Sequence, residues 1–162
     1  MKVKTLAVNA IVAALYVAVS MLVAPFAFSQ LQFRLSEMFN HLIVFDKRYF
    51  WGIIIGVAVT NLFSPLGAYD LVFGVGQSAL ALGIAILAKR FVKGTIARMI
   101  VTTIIFSVTM FLIAWELHLA FHWPFLLTWF TTAVSEFIVM GVTIPVMYFI
   151  DKKVNFKKIM EK

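Results

Sequence analysis

The sequence predicts an all-α integral membrane protein, a bundle of six transmembrane helices with the N- and C-termini both cytoplasmic. Three observations predict it. The 162 residues are 63% hydrophobic, more apolar surface than a soluble domain of this size can hide. Residues 5–33, 49–69, 71–88, 99–115 and 117–135 contain no Asp, Glu, Lys or Arg, and about 20 apolar residues suffice to cross ~30 Å of hydrocarbon. Finally, the basic residues are bunched. Of the 14 Lys and Arg, 13 fall into four clusters: Lys2 and Lys4; Lys47 and Arg48; Lys89, Arg90, Lys93 and Arg98; and Lys152, Lys153, Lys157, Lys158 and Lys162. Only Arg34 stands apart. Cytoplasmic loops retain Lys and Arg. Six passes put every cluster on one side of the membrane, and five passes cannot.

The elements follow in order. The first span covers residues 6–24 and stops before Pro25. Lys2, Lys4 and the apolar run after them resemble a signal peptide. The run exceeds the about 7–15 residues of an h-region and lacks a small-x-small cleavage site, so a retained span is expected. Residues 26–34 read as an amphipathic loop carrying Gln30 and Gln32. The second span, 36–46, has only 11 residues; it requires tilt, protein neighbours or a thinned bilayer. The third covers 49–62. Asn61-Leu62-Phe63-Ser64-Pro65-Leu66-Gly67 is a turn on its Pro and Gly chemistry. The fourth span covers 70–88 and the fifth 96–115. Trp123-Pro124 opens the sixth, 124–150, and a basic tail follows. One membrane-embedded domain, 1–162, accounts for the chain.

Several function classes drop out. The net charge is +7, but the clusters are topological anchors rather than a nucleic-acid surface. With no cysteine there is neither a disulfide framework nor a thiolate metal site. No Gly-x-x-x-x-Gly-Lys-Ser/Thr occurs, so the chain does not carry a P-loop ATPase. An enzyme is not expected.

The acids are distributed otherwise. Asp46, Asp151 and Glu161 lie among the lysines, whereas Glu37, Asp70, Glu116 and Glu136 fall in the outer half, against Arg34 alone. Ionisable groups inside a membrane cost several kcal/mol unless paired or hydrated, and so mark function. Glu136, flanked by Thr131, Thr132 and Ser135, suits a donor-rich or cationic ligand, or a helix–helix contact. Glu37, three residues after Arg34, suits a local ion pair or a ligand. Asp70 suits an N-cap or a ligand. Glu116, His118 and His122 have weak metal-site spacing and read better as a wet interfacial loop; no metal is expected. Trp115, Trp123 and Trp129 suit an interfacial belt or a stacking wall for a flat ligand. Ala10, Ala14 and Ala18 recur every four residues, with Ala7 and Ala13 nearby. Such a stripe lets another helix approach closely, either within this chain or from a partner.

The segment Gln32-Phe33-Arg34-Leu35-Ser36-Glu37, the turn Asn61–Gly67 with Asp70 and Phe73-Gly74, and Glu136 in the sixth span resemble the QueT family. These are substrate-binding (S) components of energy-coupling factor (ECF) transporters, assigned to queuosine precursors. The resemblance covers nearly the whole chain. It is looser around Glu136, where Gly141 and Pro145 follow at wider spacing than the family's Gly-x-Pro. It implies an S-component-like bundle in the bacterial plasma membrane. It also implies an external substrate site covered by the first loop, and partners comprising a transmembrane coupling subunit and two ATPases. On this reading the chain needs no cofactor, since ATP is used by the partners, and the stripe Ala10, Ala14, Ala18 meets the coupling subunit.

The implied ligand is a 7-deazaguanine with a cyano or an aminomethyl group. Its adjacent N–H and NH2 match one carboxylate bidentately, a role for Glu136. Its amine wants a second carboxylate, Glu37 or Asp70. Its carbonyl wants a donor, Arg34, Asn61 or Gln77, and its ring wants an aromatic face such as Trp115. The alternatives are an S component for another vitamin-like heterocycle, a small proton-coupled transporter using Glu136, and a structural membrane protein without ligand.

Overall fold

A computed structural model describes residues 3–27 and 32–161. Lys2, Gln30 and Lys162, which enter the readings above, lie outside the described residues. All regular structure among the described residues is helical. Helix α1 covers Val3–Leu22 and a single turn, α2, Ala24–Ala27. A 3-10 segment, Leu35–His41, runs into α3, Leu42–Phe45; a second 3-10 turn, Lys47–Tyr49, leads into α4, Phe50–Asn61. Then come α5 (Ala68–Ala88), α6 (Thr95–Thr109), α7 (Phe111–Phe121), α8 (Phe125–Val154) and α9 (Phe156–Glu161).

Four stretches are long and apolar enough to cross a membrane: Val3–Leu22, Ala68–Ala88, Thr95–Phe121 and Phe125–Val154. The 35–45 and 50–61 segments are too short. The former lengthens itself by beginning as a 3-10 helix, which rises ~2.0 Å per residue against ~1.5 Å in an α-helix. It is also shielded, with Ser36, Glu37, Asn40, His41, Leu42, Ile43 and Val44 all buried. The fifth predicted span ends later than expected. It continues past Trp115 to Phe121 and breaks at Met110. The hydroxyls of Thr102, Thr103, Ser107 and Thr109 bond back to carbonyls three or four residues earlier, which loosens and bends a helix.

Polarity is inverted relative to a soluble fold. Large apolar side chains such as Ile55, Val72, Leu126, Phe130, Phe137 and Val142 face outward. Arg34, Glu37, Asp70, Glu116 and Glu136 are buried. Lipid tolerates the first, and only protein partners make the second possible.

The interior divides in two. One half is apolar, built on Leu42, Ile53, Leu82, Met99, Phe106 and Met140. Three of the basic clusters, at residues 47–48, 89–98 and 152–158, converge beyond that half. The Phe45 and Phe156 rings meet at 5.4 Å, Tyr49 Oη donates to the Phe156 carbonyl at 2.9 Å, and Lys89 reaches the Phe45 carbonyl at 3.5 Å. Asp46 anchors the turn between α3 and α4, accepting from the Arg48 backbone N–H at 2.8 Å and from its guanidinium at 3.0 and 2.7 Å. That hydrogen bonding holds its carboxyl below the usual range. The other half of the interior is polar and holds the candidate site.

Helices α1 and α4 hold the two halves in register. Helix α4 packs its glycines against α1: a Cβ on Gly52 would lie 2.7 Å from Asn9 Oδ1, and one on Gly56 2.7 Å from Tyr16 Cβ. The pair Gly52-x-x-x-Gly56 thus lets the backbones approach, as lipid-embedded helices need when packing rather than water drives association. Asn9 completes the joint: its amide donates to the Thr5 carbonyl at 3.0 Å, and its Oδ1 accepts the otherwise unpaired Gly52 N–H at 2.9 Å. Gly56→Ala is expected to destabilise the bundle by about 1–3 kcal/mol, read as a lower melting temperature in detergent. Gly83→Ala, where nothing lies within 4 Å, serves as the control and should leave stability unchanged or slightly raised.

Candidate functional site

The polar half gathers charged groups from five elements. Glu37 comes from the 35–41 segment. Tyr16 Oη of α1 donates to its Oε1 at 2.8 Å, and Asn40 Nδ2 donates to its Oε2. Ser20 Oγ donates to Ser36 Oγ at 2.6 Å, fixing the same segment on α1. On its other side, His41 Nε2 bonds to the Met140 carbonyl at 3.0 Å. A carbonyl only accepts, so Nε2 carries the proton. These bonds hold Glu37 on the segment that packs against α8, the helix that carries Glu136. Glu136 is 1% exposed and its Oε1 finds no partner among the described residues. It lies on the inward stripe of α8 with Thr128, Thr132, Ser135, Val139 and Met140. Spacings of three and four keep one helical face turned in.

A second acidic pole combines the start of α5 with the middle of α7. Asp70 is 2% exposed and Glu116 0%. Ser64 Oγ donates to Asp70 Oδ2, and the Arg34 guanidinium lies 3.6 Å from its Oδ1. The turn from α4 supplies the rest. Gly67 adopts φ 56°, the left-handed region glycine enters without steric cost. Asn61 Nδ2 donates to the Asp70 carbonyl at 2.7 Å. Its amide lies over Gly74, where a Cβ would come within 2.2 Å of it. The combination of Asn61, Asp70 and Gly74 thus has a steric basis: any larger residue at 74 would displace the amide.

The structure brings together Glu136, Glu37, Asp70 and Arg34, and sets Asn61 beside Asp70; Gln77 is buried two turns further along α5. Gln77 already has a partner, donating to Thr109 Oγ1 at 3.0 Å. Trp115 is not brought into the cluster. It is 50% exposed and its ring meets Phe73 at 6.4 Å on the outer face, because its neighbour Glu116 takes the inward position of α7. The expected local pair of Arg34 with Glu37 gives way to one with Asp70. Asp70 is no N-cap; Gly67 holds that position and makes no side-chain cap.

Glu116 was read as part of a wet loop and is instead fully enclosed. His118 and His122 remain exposed, and no group of three or more metal-ligating residues occurs among the described residues. Its helical phase was the available signal: Ile113, Glu116 and Leu117 share one buried face. Tyr16 and Asn40 were also missed, since nothing local marks a tyrosine or asparagine as a carboxylate's partner. The alanines Ala10, Ala14 and Ala18 are exposed, so they do not pack inside this chain.

The chain is similar to known proteins over most of its length. The family model described as "QueT transporter" matches residues 6–152. A curated relative, "Queuosine precursor transporter QueT" of Lactococcus lactis subsp. cremoris (strain MG1363), is 33% identical over 157 residues, covering 92% of this chain and 93% of the relative. No solved structure matches the chain significantly. The matched stretch includes every residue of both acidic poles as well as Arg34, and on that breadth the chain belongs to the QueT transporter family.

Proposed function

We propose that the protein is the substrate-capturing subunit of an ATP-driven ECF transporter in the bacterial plasma membrane, and that it takes up a queuosine precursor of the 7-deazaguanine class. The observation that carries the reading is the closed set of four carboxylates around one guanidinium at the end of the bundle opposite the basic clusters. In this reading all six helical stretches pass through the bilayer. The 35–45 and 50–61 segments do so as a shielded hairpin, and both termini face the cytoplasm with the basic clusters. The acids then lie toward the exterior, where ligand arrives. The name of the Lactococcus relative supports the substrate class, and family membership supports transport.

The chemistry fits. A deazaguanine presents an N–H and an NH2 side by side, and a carboxylate with a free oxygen accepts such an edge through charge-assisted bonds. Glu136 has that free oxygen and serves the ring edge. Glu37 is already held by Tyr16 and Asn40 and stiffens the pocket. Asp70 lies apart, suited to a substituent on the far side of the ring. The chain carries no nucleotide-binding motif of its own, so the energy comes from a coupling subunit and two ATPases. The coupling subunit docks on the exposed stripe Ala10, Ala14, Ala18, whose small side chains admit close backbone approach.

Two measurements test this. Glu136→Gln should weaken deazaguanine binding by about tenfold or more, ~1.4 kcal/mol, in calorimetry on the purified protein; unchanged affinity removes Glu136 from the site. Ala14→Leu should leave binding intact and depress uptake in cells by about tenfold; normal uptake argues against the docking face. Uptake that continues without ATPase partners and collapses with the proton gradient would favour a proton-coupled carrier instead.

A further inference from the structure

Asp70 and Glu116 come from different helices, α5 and α7, which pack against each other with the Phe73 and Trp115 rings in contact at 6.4 Å, and both carboxyl groups are enclosed there. Two carboxylates are both acceptors, so a buried pair of them needs a proton or a cation nearby. Among the described residues, no donor reaches either oxygen of Glu116 or Oδ1 of Asp70. Arg34 is near but not seated. Its Nη2 stops 3.6 Å from Asp70 Oδ1, beyond the ~2.7–2.9 Å of a charge-assisted hydrogen bond. Its Nε and Nη2 are buried without any acceptor. Three carboxylate oxygens lacking donors, both of Glu116 and Oδ1 of Asp70, therefore lie in the same region as two guanidinium nitrogens lacking acceptors, and all three side chains are at least nine-tenths buried. Unmade bonds of this kind are costly in a low-dielectric interior. The arrangement is that of a site with a poorly fitting occupant.

Arg34 is also placed to leave. It stands on the unstructured stretch 32–34 that precedes the 3-10 segment. Arg34 itself makes no side-chain cap to that segment. Asp70 and Glu116, by contrast, stand on helices α5 and α7.

We propose that Asp70 and Glu116 form an ammonium-binding subsite, and that Arg34 occupies its mouth as a tethered stand-in until a cationic ligand displaces it. This rests on the deazaguanine reading above and adds the choice of substituent: the aminomethyl form, not the cyano form. A compact ammonium offers three donors in rotatable directions, which two carboxylates from different helices can share. A planar guanidinium presents its donors in one fixed fork. The exchange conserves charge, because one cation enters the pocket as another leaves it. A cyano group brings no charge and leaves Arg34 in place.

The test is calorimetry on the full-length protein in lipid nanodiscs, with aminomethyl- and cyano-7-deazaguanine as probes. The wild type should prefer the aminomethyl form. Glu116→Gln should weaken that form by about tenfold or more and leave the cyano form within about twofold, so retained cyano binding also reports an intact fold. Arg34→Gln should bind the aminomethyl form at least as tightly as the wild type. Equal weakening of both forms by Glu116→Gln, no weakening of either, or wild-type preference for the cyano form would overturn the subsite while leaving deazaguanine capture intact. Loss of aminomethyl binding in Arg34→Gln would make Arg34 a ligand contact and overturn its role as a stand-in. Failure of the wild type to bind either form would remove the deazaguanine reading itself.

Discussion

Four carboxylates enclosed with one guanidinium, inside a bundle whose outer surface is apolar, constrain nearly everything else in this molecule. Charge in a membrane interior must find protein partners, since neither lipid nor bulk water supplies them. The stretch 32–34 therefore turns inward to deliver Arg34. The 35–41 segment presents Glu37 to Tyr16 and Asn40. The start of α5 packs against α7, whose middle carries Glu116. The bonds to Glu37 are complete, whereas those around Arg34, Asp70 and Glu116 are not. That residue of unmade bonds distinguishes a receptive site from a structural ion-pair network, which would be expected to close its own hydrogen bonds.

The division of the interior into an apolar and a polar half follows from the same constraint. The apolar half, around Ile53, Leu82, Met99, Phe106 and Met140, contains no charge to satisfy and packs tightly. It forms the floor beneath the acids and separates them from the basic end. Helix α1 serves both halves. Its inward face supplies Asn9 to the start of α4 and Tyr16 to Glu37, while its outward face keeps Ala10, Ala14 and Ala18 bare. One helix thus links the ligand-facing groups to the surface proposed for the coupling partner. A change in how Glu37 is held has a short path to that surface through Tyr16.

Much of the fold was legible because membrane helices are written in one-dimensional signals. Uninterrupted apolar runs gave the long helices, and Pro and Gly gave the turn after Asn61. The 35–45 segment was legible as a short helical element but not in kind, since a 3-10 helix has no distinct apolar period over so few residues. The site was legible in its carboxylates, whose burial is unusual enough to stand out in sequence. It was not legible in its pairings. Arg34 stands three residues from Glu37 and 36 from Asp70, so proximity along the chain favoured the wrong partner. Glu116 was misplaced because two histidines and a tryptophan nearby suggested an interface, while the phase of α7 had already turned it inward.

By itself the sequence determined that the chain is a helical membrane protein, that its basic residues cluster between apolar runs, and that four of its acids, Glu37, Asp70, Glu116 and Glu136, stand apart from those clusters. Those properties depend on residue type and order, because hydropathy and charge act on each segment independently of its neighbours. Only the tertiary structure decided which acids meet, that Trp115 faces outward while Glu116 faces inward, and that Arg34 lies unseated before Asp70. Those are matters of a few ångströms between groups far apart in the chain. They are set by how closely helices approach at positions such as Gly52, Gly56 and Gly74, and no local pattern encodes that distance.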